Sequence, residues 1–185
     1  MINNKHKFIF VHVPKCAGTT IRASLPPGRW SPHLDIMQIK EKVNVHVFDN
    51  YFKFGFVRNP WSRAVSLYHR RQGVQMRHRM SFTEFIKWHK YATDTCIHPT
   101  QKKYQLDFFT DSMGELLVDF IGKFENLQED FNIICDKIGI PQQQLPHKNK
   151  SKHKHYTEYY DEETKQIVAE KYRKDIEYFG YKFGA

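Results

Sequence analysis

Apolar residues fall into short blocks along this chain, separated by polar, proline-rich or basic stretches. Phe8-Ile-Phe-Val-His-Val13 is rich in β-branched and aromatic residues and predicts a strand. Pro14 to Gly18 reads as a turn, and Thr19-Thr-Ile-Arg-Ala-Ser-Leu25 as a helix start that Pro26-Pro27 stops. Pro27 to Pro32 reads as loop and Asp35 to Val43 as a short helix. The alternation in Val45-His-Val47 suggests a strand, which would make His46 a strand residue. Phe54-Gly-Phe-Val57 predicts a second buried strand. It ends at Arg58-Asn-Pro60, where Asn59 suits an N-cap and Pro60 the first helical position. On the helix that follows, Trp61, Val65 and Tyr68 share one face, while Arg63, Ser66 and Arg70 share another.

Ser81-Phe-Thr-Glu84 forms a capping box before Phe85-Ile-Lys-Trp88, so a third helix begins there. Asp94 to Pro99 reads as loop. Leu116 to Ile121 and Lys123 to Glu125 read as strand material, and Gln128 to Ile138 as a helix closed by Gly139. Pro141 to His155 is a polar, basic loop. Asp161 caps a final helix reaching about Asp175, and the aromatic tail Tyr178 to Phe183 is expected to pack back on the fold. No internal repeat or linker divides the chain, and 185 residues suit a single domain, 1-185. The strand–loop–helix opening is the first unit of many α/β nucleotide-binding folds.

Composition narrows the class. With 40% hydrophobic and 15% aromatic residues, the chain can bury a core and is not globally disordered. Cys16, Cys96 and Cys135 show no CxxC spacing, which argues against a disulfide framework or a zinc ribbon and suits a reducing compartment. No apolar run is long enough to span a membrane, so a soluble chain is expected, cytoplasmic if this is its full length. Lys and Arg total 29 against 20 for Asp and Glu, a formal charge of +9, which favours an anionic partner.

Two segments carry the chemistry. In His12-Val-Pro-Lys15-Cys16-Ala17-Gly18-Thr19-Thr20, a glycine allows close backbone approach, a helix start offers N–H groups, Lys15 brings a cation and the threonines bring hydroxyls. Together these suit a phosphate. The spacing is not GxxxxGK[ST], because the lysine precedes the glycine. An ordinary strand–turn–helix with a solvated lysine would carry the same residues. In Phe56-Val-Arg58-Asn-Pro-Trp-Ser-Arg-Ala-Val-Ser66-Leu-Tyr68, Arg58 ends a strand and Ser66 follows on the next helix. An arginine can take two phosphate oxygens and a serine a third. A capped amphipathic helix explains Asn59 and Pro60 but requires neither Arg58 nor Ser66. Two other readings stand beside these: a P-loop kinase, and a basic module that binds nucleic acid through aromatics such as Phe179 to Phe183.

The ordered pair VPKCAGTT and FVRNPWSRAVSLY resembles the two donor-binding motifs of the carbohydrate sulfotransferases that use 3′-phosphoadenosine 5′-phosphosulfate (PAPS). Lys123-Phe-Glu-Asn-Leu127, Leu145-Pro-His-Lys-Asn-Lys-Ser151 and Asp175-Ile-Glu-Tyr-Phe-Gly-Tyr181 look like the same family, here as a short soluble form of a Golgi-type enzyme. If an N-terminal anchor had been trimmed, the Golgi lumen would be the expected compartment. The resemblance implies a P-loop-like, three-layer α/β fold with a central parallel sheet flanked by helices. It implies that Lys15 to Thr20 bind the 5′-phosphosulfate, that Arg58 and Ser66 hold the 3′-phosphate, and that Lys150, Ser151 and Lys152 close on the nucleotide. PAPS is then the co-substrate and a carbohydrate or glycan the acceptor, an anionic one suiting the basic excess. Neither a metal nor nucleic acid is expected.

Sulfuryl transfer is in-line, with charge growing on the leaving phosphate oxygen, and Lys15 is the cation proposed for it. The acceptor hydroxyl needs a base. Related enzymes often place a histidine between the two motifs, where this chain has His33 and His46; His33, in a loop, is favoured. His12 is expected to pack structurally and Cys16 to fill space. The spacing of His147, His153 and His155 matches no standard metal site.

Overall fold

A computed structural model describes residues 1–29, 33–69, 80–92, 104–146 and 154–185. The expectations for Trp30 to Pro32, Arg70, the 94–99 loop, and Lys150, Ser151 and Lys152 with their histidine neighbours His147 and His153 lie outside the described residues. In chain order the elements are β1 (Ile2–Asn3), β2 (Phe8–Val11), α1 (Gly18–Ser24), α2 (Ile36–Lys40), α3 (Val45–Asn50), β3 (Phe52–Val57), α4 (Pro60–Tyr68) and α5 (Phe82–Tyr91). They continue with β4 (Phe120–Lys123), α6 (Leu127–Ile138), α7 (Glu162–Lys171) and α8 (Arg173–Phe179). The chain forms two compact units, Met1–Val57 with Asp107–Lys148, and Arg58–Leu106 with Asn149–Ala185.

The first unit holds the sheet, in the order β1-β2-β3-β4. Strands β2, β3 and β4 run parallel, as expected, and β1 adds an antiparallel edge. Register places Phe10, Phe54 and Phe120 side by side across the sheet, with Phe10 and Phe54 stacked at 5.4 Å. All four residues of β2 are buried. Successive strand side chains point to opposite faces. Burial of the whole run therefore means that both faces are covered, as in a layered α/β fold.

The strand expected at Val45-His46-Val47 is instead the first turn of α3. Asn44 caps it, accepting the Val47 N–H at 2.9 Å, and Val45 is 73% exposed, so the alternation marks no buried face. The end of α3 is held from the sheet: Lys53 of β3, itself buried, donates to the Phe48 and Tyr51 carbonyls and pairs with Asp119 at 3.3 Å. Gly139, with φ of 68°, closes α6 as the sequence suggests.

The second unit is helical among its described residues. Asn59 Oδ1 accepts the Trp61 and Ser62 N–H groups, and Asn59 Nδ2 donates to the Lys182 carbonyl at 2.9 Å. The aromatic tail does pack back: Phe183 meets Trp61, Tyr156 and Tyr160 edge-on at 5.4–5.7 Å. Arg63, one turn before Ser66 on α4, is 2% exposed, its guanidinium over the Tyr172 ring. One expectation is corrected here: the last helix is not continuous, for Tyr172 (φ −112°, ψ 25°) breaks it into α7 and α8. Tyr172 is buried and its hydroxyl meets His89 Nε2 at 2.7 Å, and that side chain's burial outweighs helix continuity.

Asn59→Ala removes the cap and leaves the Lys182 carbonyl without its donor, so unfolding free energy should fall by about 2–3 kcal/mol in denaturant titrations. Asn59→Ser keeps the cap alone and should fall between that variant and the parent.

Candidate active site

The loop after β2 has an unusual backbone. Lys15 (φ 69°) and Ala17 (φ 59°) both occupy the left-handed region, with Cys16 between them outside it. Left-handed conformations cost a non-glycine residue about 1–2 kcal/mol. Alternation of this kind turns successive N–H groups toward one side and makes a concave anion nest. Since α1 has only seven residues, such a cradle depends on the loop's own N–H groups more than on a helix dipole.

Gly18 has a different part from the one its motif suggests. A Cβ placed there would lie 1.9 Å from Cδ2 and Nε2 of His12, so the histidine ring occupies the place of a side chain. His12 follows β2, stacks on Phe10 at 5.8 Å, and carries the His33 ring against it at 4.3 Å. His33 Nδ1 lies 3.4 Å from the His12 carbonyl oxygen. A carbonyl only accepts, so in neutral His33 the proton sits on Nδ1 and the lone pair on Nε2. His33 is also left-handed, with φ of 55°. The structure thus brings His33 to Gly18 through His12. His46 is exposed on α3 and bonds Asn50. Thr19 is exposed and Thr20 buried; Cys16 is buried with its thiol donating to the Pro14 carbonyl. Cys16 therefore fills space, as expected.

In the second unit, Arg58 precedes the Asn59 cap. Its Nε donates to Ser62 Oγ at 2.9 Å. Ser62 and Ser66 are one turn apart on α4, so they share a face. Gln105 holds the Arg58 backbone from both sides: Oε1 accepts the Arg58 N–H at 2.9 Å and Nε2 donates to the Arg58 carbonyl at 2.8 Å. Gln105 is fully buried, and behind it lies Asp175, also fully buried. The Asp175 carboxylate accepts the Gln105 and Leu106 N–H groups at 2.9 and 3.0 Å. Burial pushes the Asp175 carboxyl above the usual range, while those two N–H groups and the charge of Arg63 pull it back. Sequence reasoning passed over Ser62, Gln105 and the role of Asp175; only the Ser62–Ser66 spacing offered a signal. Among the described residues, no cluster of His, Cys, Asp and Glu is arranged to hold a metal ion, and no helix is long and apolar enough to cross a membrane.

Residues 30–182 match the sulfotransferase family, and the chain belongs to it. The match begins after the Lys15 loop and includes Arg58, Gln105 and Asp175. The chain is 35% identical over 107 residues to an uncharacterized protein of Archaeoglobus fulgidus, covering 57% of this chain and 82% of that one. It is 27% identical to carbohydrate sulfotransferase 14 of Danio rerio (77% of this chain, 48% of that one). Carbohydrate sulfotransferase 11 of Mus musculus is 22% identical (76% and 53%). The chain thus spans about half the length of these two relatives. A sulfotransferase structure from Alicyclobacillus acidocaldarius aligns over 80% of this chain and 60% of its own, with a TM-score of 0.41 and 16% identity.

A carboxyl whose pKa is raised by folding binds its proton more tightly in the native state. Asp175 therefore subtracts stability as pH rises from the ordinary aspartate value near ~4 through its raised value. The stability of the parent relative to Asp175→Asn should fall across that window and level off above it, measured by thermal unfolding in a pH series. A difference that does not change with pH would mean that Asp175 titrates as an ordinary surface carboxylate.

Proposed function

We propose that this sulfotransferase-family chain, read as one domain, moves a sulfuryl group from PAPS to a hydroxyl of a carbohydrate acceptor. The observation that carries the reading is the setting of Arg58, whose guanidinium is braced by Ser62 on the α4 face that also bears Ser66. A guanidinium beside hydroxyls suits a phosphate dianion, and the 3′-phosphate is what separates PAPS from ATP. In this reading Arg58 and Ser66 recognise that phosphate, with Ser62 as the brace.

The loop Lys15 to Thr20 takes the 5′-phosphosulfate, a role supported by the alternating left-handed residues of the loop. Lys15 meets the oxygen that gains charge as the sulfuryl group leaves. In-line transfer needs positioning and charge stabilisation more than covalent help from the protein. His33 is the base: its Nδ1 sits on a carbonyl, so Nε2 is the atom that would take the acceptor's proton. The carbohydrate acceptor is supported by the likeness to carbohydrate sulfotransferases 14 and 11 and by the +9 formal charge. Lys150, Ser151 and Lys152 are assigned to the donor on the resemblance alone.

Binding of adenosine 3′,5′-bisphosphate, followed by calorimetry in EDTA, tests the donor. Arg58→Ala should weaken it by roughly 1.5–3 kcal/mol and leave adenosine 5′-phosphate affinity nearly unchanged. Equal losses for both nucleotides would take the 3′-phosphate away from Arg58.

Transfer of labelled sulfate from PAPS, screened across sugars, polysaccharides and small alcohols, tests the chemistry. With the best acceptor, activity should rise with pH through the histidine range, because the base must be neutral. His33→Ala should lose roughly 100-fold or more in turnover at unchanged nucleotide affinity. Normal turnover in a folded His33→Ala protein would leave another group as the base.

A further inference from the structure

We infer that Gln105 is a positioning residue for donor recognition: its buried side-chain amide aims Arg58, and Asp175 in turn holds Gln105. The inference rests on the assignment of Arg58 to the 3′-phosphate. Arg58 sits at the point where the backbone leaves an extended path and enters the Asn59 cap. A single Gln105 side-chain amide bonds both the N–H and the carbonyl of Arg58 there, as a neighbouring strand residue would. The two bonds lie on either side of the Arg58 Cα and so fix the direction of its side chain. The bond from Nε to Ser62 fixes the far end. The arginine is thus held in three places before any ligand arrives.

The orientation of the amide is itself determined. Oε1 faces an N–H, while Nε2 faces the Arg58 carbonyl and, at 3.4 Å, Asp175 Oδ2. Turning the amide over would set oxygen against oxygen twice. Asp175 also grips the Gln105 and Leu106 N–H groups, so neither backbone nor side chain at 105 can swing away. Such bracing matters for a ligand with two phosphates. A guanidinium that wanders still attracts charge, but it no longer favours a phosphate at one position over its absence.

The test is a double-mutant cycle between Arg58→Ala and Gln105→Leu, read as calorimetric affinity for adenosine 3′,5′-bisphosphate and for adenosine 5′-phosphate. Gln105→Leu is expected to weaken the bisphosphate about fivefold to tenfold and the monophosphate less than about twofold. In the Arg58→Ala background the same change should do nothing further to the bisphosphate. Gln105→Met, which fills the space with a flexible apolar chain, is measured alongside and should behave likewise. Should Arg58→Ala fail to discriminate between the nucleotides, the 3′-phosphate assignment fails and this inference with it. Should Arg58→Ala discriminate while both Gln105 variants keep full preference for the bisphosphate, the positioning role alone is overturned. Equal weakening of both nucleotides, or failure of both variants to fold, would likewise reduce Gln105 to a structural part.

Discussion

A carboxylate removed from water must be hydrogen-bonded or lose its charge. Asp175, fully buried, is the point in the second unit where that demand is met, through two successive backbone N–H groups at Gln105 and Leu106. Much of the local structure follows from it. The carboxylate reaches those groups from the first turn of α8, just after the break at Tyr172. With the backbone at 105 fixed, the Gln105 amide can face one direction only, toward Arg58. Arg63, on the next helix in the chain, contributes a counter-charge from inside the fold rather than from its surface. A buried arginine and a buried glutamine, unrelated in sequence, thus answer to one desolvated charge.

The first unit solves another problem, that of bending the chain sharply after a buried strand with very few residues. Lys15, Ala17 and His33 adopt backbone conformations that glycine would take more easily. Strain of this kind is kept only where surrounding packing over-determines it. The packing here is the buried β2 behind the loop and the paired rings of His12 and His33 above it.

What could be read in the sequence follows the range of the interactions involved. Caps are local, and Asn59, Ser81 and Asp161 announce their helices from residues within one turn. The buried strands β2 and β3 are equally plain, because parallel strands covered on both faces read as unbroken apolar runs. The errors arose where a local pattern admitted two periods, as at Val45 to Val47, or where a distant partner changed the meaning of a residue. The burial of Arg63 was not legible because nothing near it in sequence foretells Asp175 or Tyr172. At the site, Lys15, Arg58 and Ser66 were legible as motif residues. Gln105 was not, since its partner lies 47 positions away and a lone glutamine has no periodicity to betray it.

The seat that Gly18 makes for His12 ties two alphabets together. With this backbone a methyl group at 18 and the imidazole of His12 claim the same volume, so an alanine at 18 would force the ring out of its present place. A side chain at 18 is therefore felt at one remove: with the imidazole pushed out of place, the surface on which His33 rests goes too.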